Sequence, residues 1–340
     1  MEAFWEQQVL DRPFVQVTAP KPNPQPYPQA HHASLRDRWL DAAHSVDWGL
    51  FVARNTYWGG DAIPTYFPNL GPEVMTTGYG AELEFTDITS WTHPLITDWA
   101  QVDQLRFDPQ SLYIAKILEM LRLGLERGRG QFLTGLTDIH PGGDLAASLR
   151  DPQQFCVDLL ESPDEAARLL QKIQPDFFTF YELQYDILRR SGQTLSTTWT
   201  PYSTAGRFYV PSNDFSCMVS PQLFERFFLP RLAEEVAFLD RSIYHLDGVN
   251  ALRHLPALLS LRDLDAVQWV FGAGHGPARK WIPVYKQIQA AGKSLQIVDC
   301  TVADLDDLFA NLRPEGVGIS AAVRSVAEAD AFVARVARWK

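Results

Sequence analysis

The residues best placed to do chemistry are a histidine and an aspartate in the segment Tyr244-His245-Leu246-Asp247-Gly248. Side chains two residues apart on a β-strand point to the same side, so His245 and Asp247 can face one ligand or one metal ion together. A metal site needs further ligands, and Cys300, after a later apolar run, is the cysteine best placed to supply one. The alternative is a His–Asp pair that orients a substrate without a metal ion.

Polar side chains also follow other apolar runs of the chain, as Asp87 and Asp214 do. If these aspartates converge with Asp247 at one site, mutual burial would raise some of their pKa values and let them transfer protons. Any single aspartate could instead cap a helix or stabilise a turn. His140 and His275 lie close to glycines, where a loop histidine can approach a ligand closely or simply occupy a turn.

These residues must be positioned by strands and helices that alternate along the chain. Nine runs are strand-like, at 62–67, 81–86, 131–136, 194–199, 207–212, 242–246, 266–270, 294–299 and 316–320. Helical spacing of apolar residues occurs in 33–53, 109–127, 163–190, 221–240, 280–291, 302–312 and 325–339.

This alternation predicts the α/β class, with a parallel sheet covered by helices, and the number of strands favours a closed (β/α)8 TIM barrel. Nine runs are one too many for eight strands, so one is wrong or two form a hairpin. In such a barrel the active site lies at the carboxyl ends of the strands.

The amino-terminal part of the chain has a different composition. Residues 20–30 are rich in proline, from Pro20 to Pro28, which predicts an extended arm, and the helix over 33–53 follows it. We therefore expect a single domain, in which residues 1–55 form an arm and helix that pack on a barrel of residues 56–340.

Composition excludes several classes of protein. The chain has 340 residues and a net charge of −11, which argues against a nucleic-acid or anionic-membrane partner. Its three cysteines lie far apart, so we expect no disulfide framework and a reducing, cytoplasmic compartment. No signal peptide or apolar membrane span is expected. The absence of GxGxxG after a strand and of GxxxxGK[ST] predicts no nucleotide cofactor.

Several segments resemble the uroporphyrinogen decarboxylase superfamily, which includes porphyrinogen decarboxylases and zinc-dependent corrinoid-protein methyltransferases. The resemblance covers roughly residues 60–338. The matching segments are Gly80-Ala81-Glu82-Leu83-Glu84-Phe85-Thr86-Asp87, Val219-Ser220-Pro221-Gln222-Leu223-Phe224 leading to Phe228-Leu229-Pro230, Tyr244-His245-Leu246-Asp247-Gly248 with Leu255 and Leu258, and Gly316-Val317-Gly318-Ile319-Ser320. The resemblance implies a (β/α)8 barrel.

Carried over residue by residue, the resemblance to the decarboxylases implies that Asp87 is the catalytic aspartate, which in that family binds pyrrole nitrogens. Two features depart from the decarboxylase pattern. The stretch 64–69 lacks the arginines that grip porphyrinogen carboxylates, and Ser320 stands where the family has Gly-His-Gly. Decarboxylation of uroporphyrinogen itself is therefore not expected.

The resemblance to the methyltransferases implies a zinc site at the segment that contains His245. That branch carries His-x-Cys-Gly, so His245 matches and Asp247 replaces the first cysteine ligand. Ser320 stands where the branch has its later cysteine. Zinc accepts aspartate oxygen, although this exchange removes the usual thiolate-rich environment.

Three functions remain open at this point. The first is methyl (group) transfer, with zinc held by His245, Asp247 and Cys300, a small-molecule substrate, and a corrinoid or folate as methyl carrier. The second is a metal-free decarboxylase (lyase) of a smaller carboxylate, in which Asp87 stabilises a cationic intermediate and His245, Asp247 or Tyr202 delivers protons. The third is a ligand-binding barrel without catalytic activity.

The predicted catalytic residues are Asp87, His245 and Asp247. Predicted substrate contacts come from aromatic residues and from polar residues at strand ends: Trp58, Tyr66, Asn69, His140, Trp199, Tyr202, Asn213, Asp214, Gln268, Trp269 and His275. A corrinoid protein is a candidate partner, and the chain is expected to be a monomer or a homodimer.

Overall fold

The structure is a computed structural model that describes residues 1–27 and 29–340. It contains a mostly parallel sheet surrounded by helices, which confirms the α/β class. The strands are β1 (Phe14–Pro20), β2 (Thr56–Gly60), β3 (Thr65–Tyr66), β4 (Leu83–Phe85), β5 (Ser90–Thr92), β6 (Leu133–Thr134), β7 (Phe208–Tyr209), β8 (Arg241–Asp247), β9 (Ala266–Val270), β10 (Ser294–Ile297) and β11 (Val317–Ala322).

The main sheet has seven strands in the order β2-β1-β11-β10-β9-β8-β7. All neighbours are parallel except β1 and β2. Two small sheets pair β3 with β6 in parallel and β4 with β5 as an antiparallel hairpin. Across residues 1–27 and 29–340, no sheet closes on itself.

The helices surround the sheet. They are α1 (Glu2–Trp5), α2 (Leu35–Leu40), α3 (Ala42–Asn55), α4 (Leu112–Arg127), α5 (Gly143–Arg150), α6 (Pro152–Glu161), α7 (Pro163–Arg190), α8 (Pro221–Leu223), α9 (Leu229–Phe238), α10 (Leu255–Leu259), α11 (Ile282–Ala290), α12 (Leu305–Asn311) and α13 (Val326–Val336). Each of the seven predicted helical windows contains at least one of them, whereas α1, α5, α6 and α10 lie outside those windows. A π-helical turn, Phe224–Phe228, joins α8 to α9. In the described part of the chain, no helix is both long and apolar enough to cross a bilayer.

Two of the nine strand-like runs lie outside the main sheet and depart from the predicted parallel arrangement. Residues 194–199 form no strand beyond one bridge between Ser196 and Thr204, and the Gln193 side chain bonds to backbone groups beside them. Its amide donates to the carbonyls of Thr134 (2.9 Å) and Leu195 (2.8 Å) and accepts from Thr134 N–H (3.0 Å). The run 81–86 contributes only β4, one arm of a hairpin outside the main sheet.

Two strands of the main sheet, β1 and β2, were missed. β1 lies within the segment expected to be an arm, yet it pairs with β11 and is buried along most of its length. The proline-rich stretch begins only where β1 ends, at Pro20, and Lys21 N–H then donates to the carbonyl of Asn55 (2.8 Å). Pro28, at the end of the proline run, lies outside the described residues.

Two hydrophobic cores hold the sheet in place. The larger one fills the space between the sheet and the surrounding helices, and it includes Tyr244 and Leu246 from β8. A smaller one packs α1 against the sheet through Phe4, Trp5 and Tyr202. Because side chains alternate along β8, burying Tyr244 and Leu246 on the helix side directs His245 and Asp247 to the opposite face.

Candidate functional site

The carboxyl end of β8 and the neighbouring turn bring three potential ligands together. One ligand atom each from Asp214, His245 and Asp247 lies within 4.8 Å of the others. His245 and Asp247 are two residues apart on β8, and Asp214 begins a 3-10 turn, Asp214–Met218. That turn is held beside β8 because the His245 N–H donates to the carbonyl of Pro211 (2.9 Å). Asp214 thus joins the predicted pair, as its possible convergence with Asp247 allowed, although it was expected to contact substrate and not to bind a metal ion.

The orientation of His245 is fixed by glutamines on the next two strands. His245, Gln268 and Gln296 are paired in register across β8, β9 and β10. The Gln268 amide nitrogen donates to Gln296 Oε1 (3.0 Å), so its oxygen faces His245 and accepts a hydrogen bond from Nδ1–H. This bond leaves Nε2 with a free lone pair, which is how protein metal sites commonly prepare a histidine ligand.

The backbone that carries Asp214 is held by a second carboxylate. Asp144, near the start of α5, accepts from the N–H groups of Asp214 (3.1 Å) and Phe215 (2.8 Å). Asp214 reaches solvent at the mouth of the site, but the surrounding protein desolvates its carboxylate and the charges of Asp144 and Asp247 repel it. Together these effects raise the pKa of Asp214 to about 6, against partial compensation from the two histidines.

His140 lies between two carboxylates in the same region. Its Nε2 is 2.8 Å from Asp138 Oδ2, and its Nδ1 is 3.4 Å from Asp144 Oδ2. Burial disfavours the imidazolium, but the charges and hydrogen bonds of Asp138 and Asp144 outweigh it and raise the pKa of His140 well above its ordinary value. The backbone of His140 adopts a left-handed conformation (φ 48°), which is uncommon for a residue other than glycine.

A cavity of about 310 Å³ opens beside this group. Asp214 and His140 form part of its wall, and Asp144 lies between them. The other walls come from the 3-10 turn Val74–Tyr79 and from α5. The candidate ligand group thus borders, through Asp214, a space large enough for a small organic molecule.

Asp87 lies in a different place. It occupies the turn between β4 and β5, and its carboxylate is 83% exposed and 3.5 Å from Arg38. It borders a separate cavity of about 550 Å³ together with Tyr66 and Asn69. The Tyr66 hydroxyl lies 3.0 Å from Ser45 Oγ, and burial raises its pKa to about 12. The structure therefore separates Asp87 from His245 and Asp247.

Three of the predicted aromatic contacts are packed elsewhere. Trp269 is fully buried among the helices, 5.1 Å from the ring of Trp281, because it alternates with the inward-facing Gln268. Tyr202 is fully buried in the smaller core beside Phe4. Trp58 donates through Nε1 to the carbonyl of Ala53 at 3.1 Å.

Trp199 does reach the candidate site. Its ring stands edge-on to that of His245, with the ring centres 5.2 Å apart and an interplanar angle of 88°. Asn213 is buried behind the site against Gly143, and its Oδ1 has no hydrogen-bond partner in the described part of the chain. His275 lies exposed on a glycine-rich loop, where its carbonyl accepts from Lys280 (3.0 Å).

Cys300 is not part of the ligand group. It is buried, its Sγ lies 3.7 Å from the carbonyl of Thr301, and burial strongly raises the pKa of its thiol. A different cysteine, Cys217, lies closer to the candidate site. Partial burial and the carboxylates of Asp214 and Asp144 raise the pKa of the Cys217 thiol, which disfavours the thiolate that a metal ion requires.

Sequence reasoning missed the supporting residues Asp138, Asp144, Gln296 and Cys217. The segment Thr137-Asp138-Ile139-His140 carried a usable signal, since two polar residues at i and i+2 follow a strand-like run there as they do at His245 and Asp247. Gln296 carried no such signal, because its contact depends on the register of two strands far apart in sequence.

No protein-family model and no curated protein matches this chain. Among solved structures, it is similar to a methyltransferase from Methanosarcina mazei, with a TM-score of 0.63 and 13% sequence identity. The alignment covers 99% of this chain and 96% of that chain. At this low identity the similarity shows a shared fold, and it extends over nearly the whole length of both proteins.

Proposed function

We propose that this chain is a metal-assisted methyl (group) transferase of the uroporphyrinogen decarboxylase superfamily. The observation that carries the proposal is the group formed by Asp214, His245 and Asp247 at the carboxyl end of β8. The fold shared with a protein described as a methyltransferase supports the direction of the proposal.

The three side chains fit a divalent cation. Among the described residues, the carboxylates of Asp214 and Asp247 accept no hydrogen bond, and neither does His245 Nε2, so all three offer free lone pairs. One imidazole and two carboxylates suit zinc and other divalent cations that accept nitrogen and oxygen ligands. Relative to the ligand set inferred from the sequence, Asp214 takes the place of Cys300.

Each part of the site has a chemical role in this proposal. The cation would lower the pKa of a thiol or hydroxyl and so make it a methyl acceptor. Gln268 holds the His245 ring in place, and Asp144 fixes the backbone of Asp214. The cavity beside Asp214 would bind the small-molecule substrate, and a corrinoid or folate would carry the methyl group.

The same proposal includes a closed eight-stranded barrel. Two backbone hydrogen bonds support closure through the short strands β3 and β6. Gly135 N–H donates to the carbonyl of Tyr66 (2.6 Å), and Leu136 N–H donates to the carbonyl of Thr197 (2.9 Å). These bonds connect β3, β6 and residues 196–198 in the direction of β7, as a barrel requires.

Elemental analysis of untagged protein tests the metal site. After incubation with zinc and removal of free ions, we expect about one ion per chain in the wild type and in His275→Ala, and none in His245→Ala. His275 is a matched control because it is an exposed histidine outside the group. Cys300→Ser should retain the ion. No ion in the wild type would contradict the proposal.

Methyl transfer is tested with methylcobalamin as donor and a panel of small thiols as acceptors, by following the absorbance of the cobalamin. We expect turnover by the zinc-loaded wild type and by His275→Ala, and none by His245→Ala. A stoichiometric zinc ion without turnover would support the metal site and contradict transfer from a corrinoid.

One observation favours a second function, metal-free lyase chemistry. Asp214, whose pKa is raised to about 6, and His140 face the same cavity and could exchange protons with a substrate near neutral pH. The lyase expected from the sequence instead relied on Asp87, which is exposed and paired with Arg38. Release of carbon dioxide from a carboxylate substrate by metal-free protein, abolished in Asp214→Asn, would favour this alternative.

A further inference from the structure

The cavity beside Asp214 has an unusual charge for an enzyme pocket. Carboxylates of Glu73, Asp144 and Asp214 line it, and none of its described lining residues is a lysine or an arginine. His140 is its cationic side chain, and it is already paired with Asp138 and Asp144. A bound anion would therefore find no free cation to offset its desolvation.

Glu73, directly before the 3-10 turn Val74–Tyr79, adds to this negative potential. Its Oε2 accepts hydrogen bonds from the backbone N–H and the hydroxyl (2.8 Å) of Thr92, which fix the carboxylate in place. Its other oxygen, Oε1, has no hydrogen-bond partner within residues 1–27 and 29–340 and is free to face a ligand. The charge is thus held by the structure rather than by a mobile surface chain.

The charge balance stays negative even if the proposed metal ion is bound. A divalent cation would neutralise Asp214 and Asp247, and the His140 imidazolium offsets one of its two carboxylate partners. The negative charges of Glu73 and of one of the two partners of His140, Asp138 and Asp144, remain uncompensated.

Most of the remaining lining of the cavity is apolar, and the hydroxyls of Thr76 and Ser148, which also line it, are hydrogen-bonded to each other. The apolar part includes Met75, Ile139, Leu145, Phe215 and Met218. Methionine side chains adapt their shape to small apolar groups, and the ring of Phe215 offers an aromatic surface near the carboxylates. This combination suits a ligand with methyl groups around a positive charge.

We propose that the cavity binds a small methylated ammonium cation that carries a hydroxyl or thiol group, as the methyl acceptor of the candidate site. The methyl group would pass from the corrinoid or folate to that oxygen or sulfur, whose proton would be lost to water. This inference rests on the proposed function, because it assigns the substrate class of the same site. It excludes substrates that present a carboxylate or a phosphate to this cavity, which distinguishes the chain from an enzyme that acts on a polyanionic porphyrinogen.

Three probes of nearly equal shape test the proposal: choline, 3,3-dimethyl-1-butanol and 3,3-dimethylbutanoate. They share a branched trimethyl head, and they present a cation, a neutral alcohol and an anion. Calorimetric titration of the wild type should show binding of choline at least about tenfold tighter than of the alcohol, and the weakest binding for the carboxylate. Equal binding of choline and the alcohol, absence of choline binding, or preference for the carboxylate would overturn the proposal.

Glu73→Gln tests whether the carboxylate is responsible. The amide oxygen of glutamine can still accept from Thr92, so the variant removes the charge and keeps the anchoring hydrogen bonds. We expect it to weaken choline binding by about tenfold and leave the alcohol unchanged. Glu84→Gln is the matched control, because Glu84 lies on the β4–β5 hairpin, outside the cavity. We expect this variant to bind all three probes as the wild type does. An unchanged choline affinity in Glu73→Gln would contradict the assignment.

The outcome can be separated from that of the proposed metal site. Metal content is measured without any probe, and the three titrations are run on both the metal-free and the zinc-loaded wild type. A protein that binds zinc but does not prefer choline would contradict the substrate class alone. A protein that prefers choline but holds no zinc would contradict the metal site alone.

Discussion

The cavity beside Asp214 and the cavity beside Asp87 differ in how their polar groups are held. Around the smaller one, His140, Asp144, Asp214 and the neighbouring His245 are tied to one another and to paired strands. Around the larger one, Asp87 is exposed in a hairpin turn and already paired with Arg38. Larger volume therefore does not identify the better site, because perturbed and mutually oriented groups are what catalysis or metal binding requires.

The lining residues of the two cavities also favour the smaller cavity as the functional site. The larger cavity has several aromatic residues in its lining, among them Trp39, Trp48 and Tyr66. Arg38 also lines it and donates from its guanidinium to the carbonyl of Asp87 at 2.7 Å. Those contacts attach α2 to the β4–β5 hairpin and so have a structural role. The smaller cavity is instead lined by Asp214, one of three side chains with free ligand atoms that lie close together.

The largest expected difference between the two regions concerns metal affinity. Asp247→Ala removes one of three ligands, and we expect affinity for zinc to fall by about 100-fold or more. Asp87→Ala removes an exposed carboxylate of the other cavity and should leave the affinity unchanged. Competition with a chromophoric chelator measures both variants. Equal losses in the two variants would contradict the separation of the regions.

A smaller loss of zinc affinity is expected when only the orientation of His245 is disturbed. Gln268→Leu removes the acceptor for Nδ1–H, so we expect a loss of about 10-fold to 100-fold in zinc affinity. Gln268→Glu keeps an acceptor oxygen at the same place and should restore binding, which a purely structural role would not predict.

Gln289→Leu serves as the control for this experiment. Gln289 is also a buried glutamine, but its side chain donates to the carbonyl of Arg313 (2.7 Å). Neither of these two residues belongs to the ligand group. Gln289→Leu should change stability without changing zinc affinity. If Gln289→Leu lost as much zinc affinity as Gln268→Leu, the loss would follow from removing any buried glutamine and not from the orientation of His245.

From the sequence, Asp214 could be expected near His245 and Asp247, but the third ligand position was assigned to Cys300. His245 and Asp247 could be predicted to share a face because strand alternation is local. The participation of Asp214 in the ligand group, in place of Cys300, depends on how the turn after β7 packs beside β8, which no local pattern encodes. Asp87 was grouped with them on the assumption that its strand belongs to the main sheet.

The fold shows the same limit. Strand–helix alternation was sufficient for the α/β class and for the longer helices, but it missed α5, which carries Asp144. The strand β1 was missed because seven residues followed by a proline run resemble an extended arm until their partner β11 is known. The division of the chain at residue 55 stays a prediction, and so does the closed barrel.

Behind the candidate site, a buried carboxyl group gives a prediction about pH. Burial raises the pKa of Glu235 to about 8, against a hydrogen bond from Gln174 that lowers it. Between pH 4.5 and about 8 the folded chain retains a proton that the unfolded chain releases, so the free energy of unfolding falls as pH rises through this window. Glu235→Gln removes this dependence.

Urea unfolding at pH 5 and pH 8 measures the effect. We expect the wild type to lose on the order of 2 kcal/mol more stability than Glu235→Gln between these two values. Glu234→Gln is the control, because Glu234 lies beside it on α9 with its side chain 49% exposed. Parallel pH profiles for wild type and Glu235→Gln would show that Glu235 is not protonated in the folded chain.

The smallest expected effect lies in the larger cavity, at Tyr66. Its hydroxyl lies within hydrogen-bonding distance of Ser45 Oγ (3.0 Å), and its ring packs against α3 and α4 at Gly49 and Gly124. Tyr66→Phe keeps the ring and removes the hydroxyl, so we expect a loss of about 1 kcal/mol in the free energy of unfolding. Zinc affinity and choline binding should not change, because Tyr66 borders only the Asp87 cavity. A weaker zinc or choline affinity in Tyr66→Phe would mean that the two cavities are coupled, and the larger one would then have to be included in the candidate site.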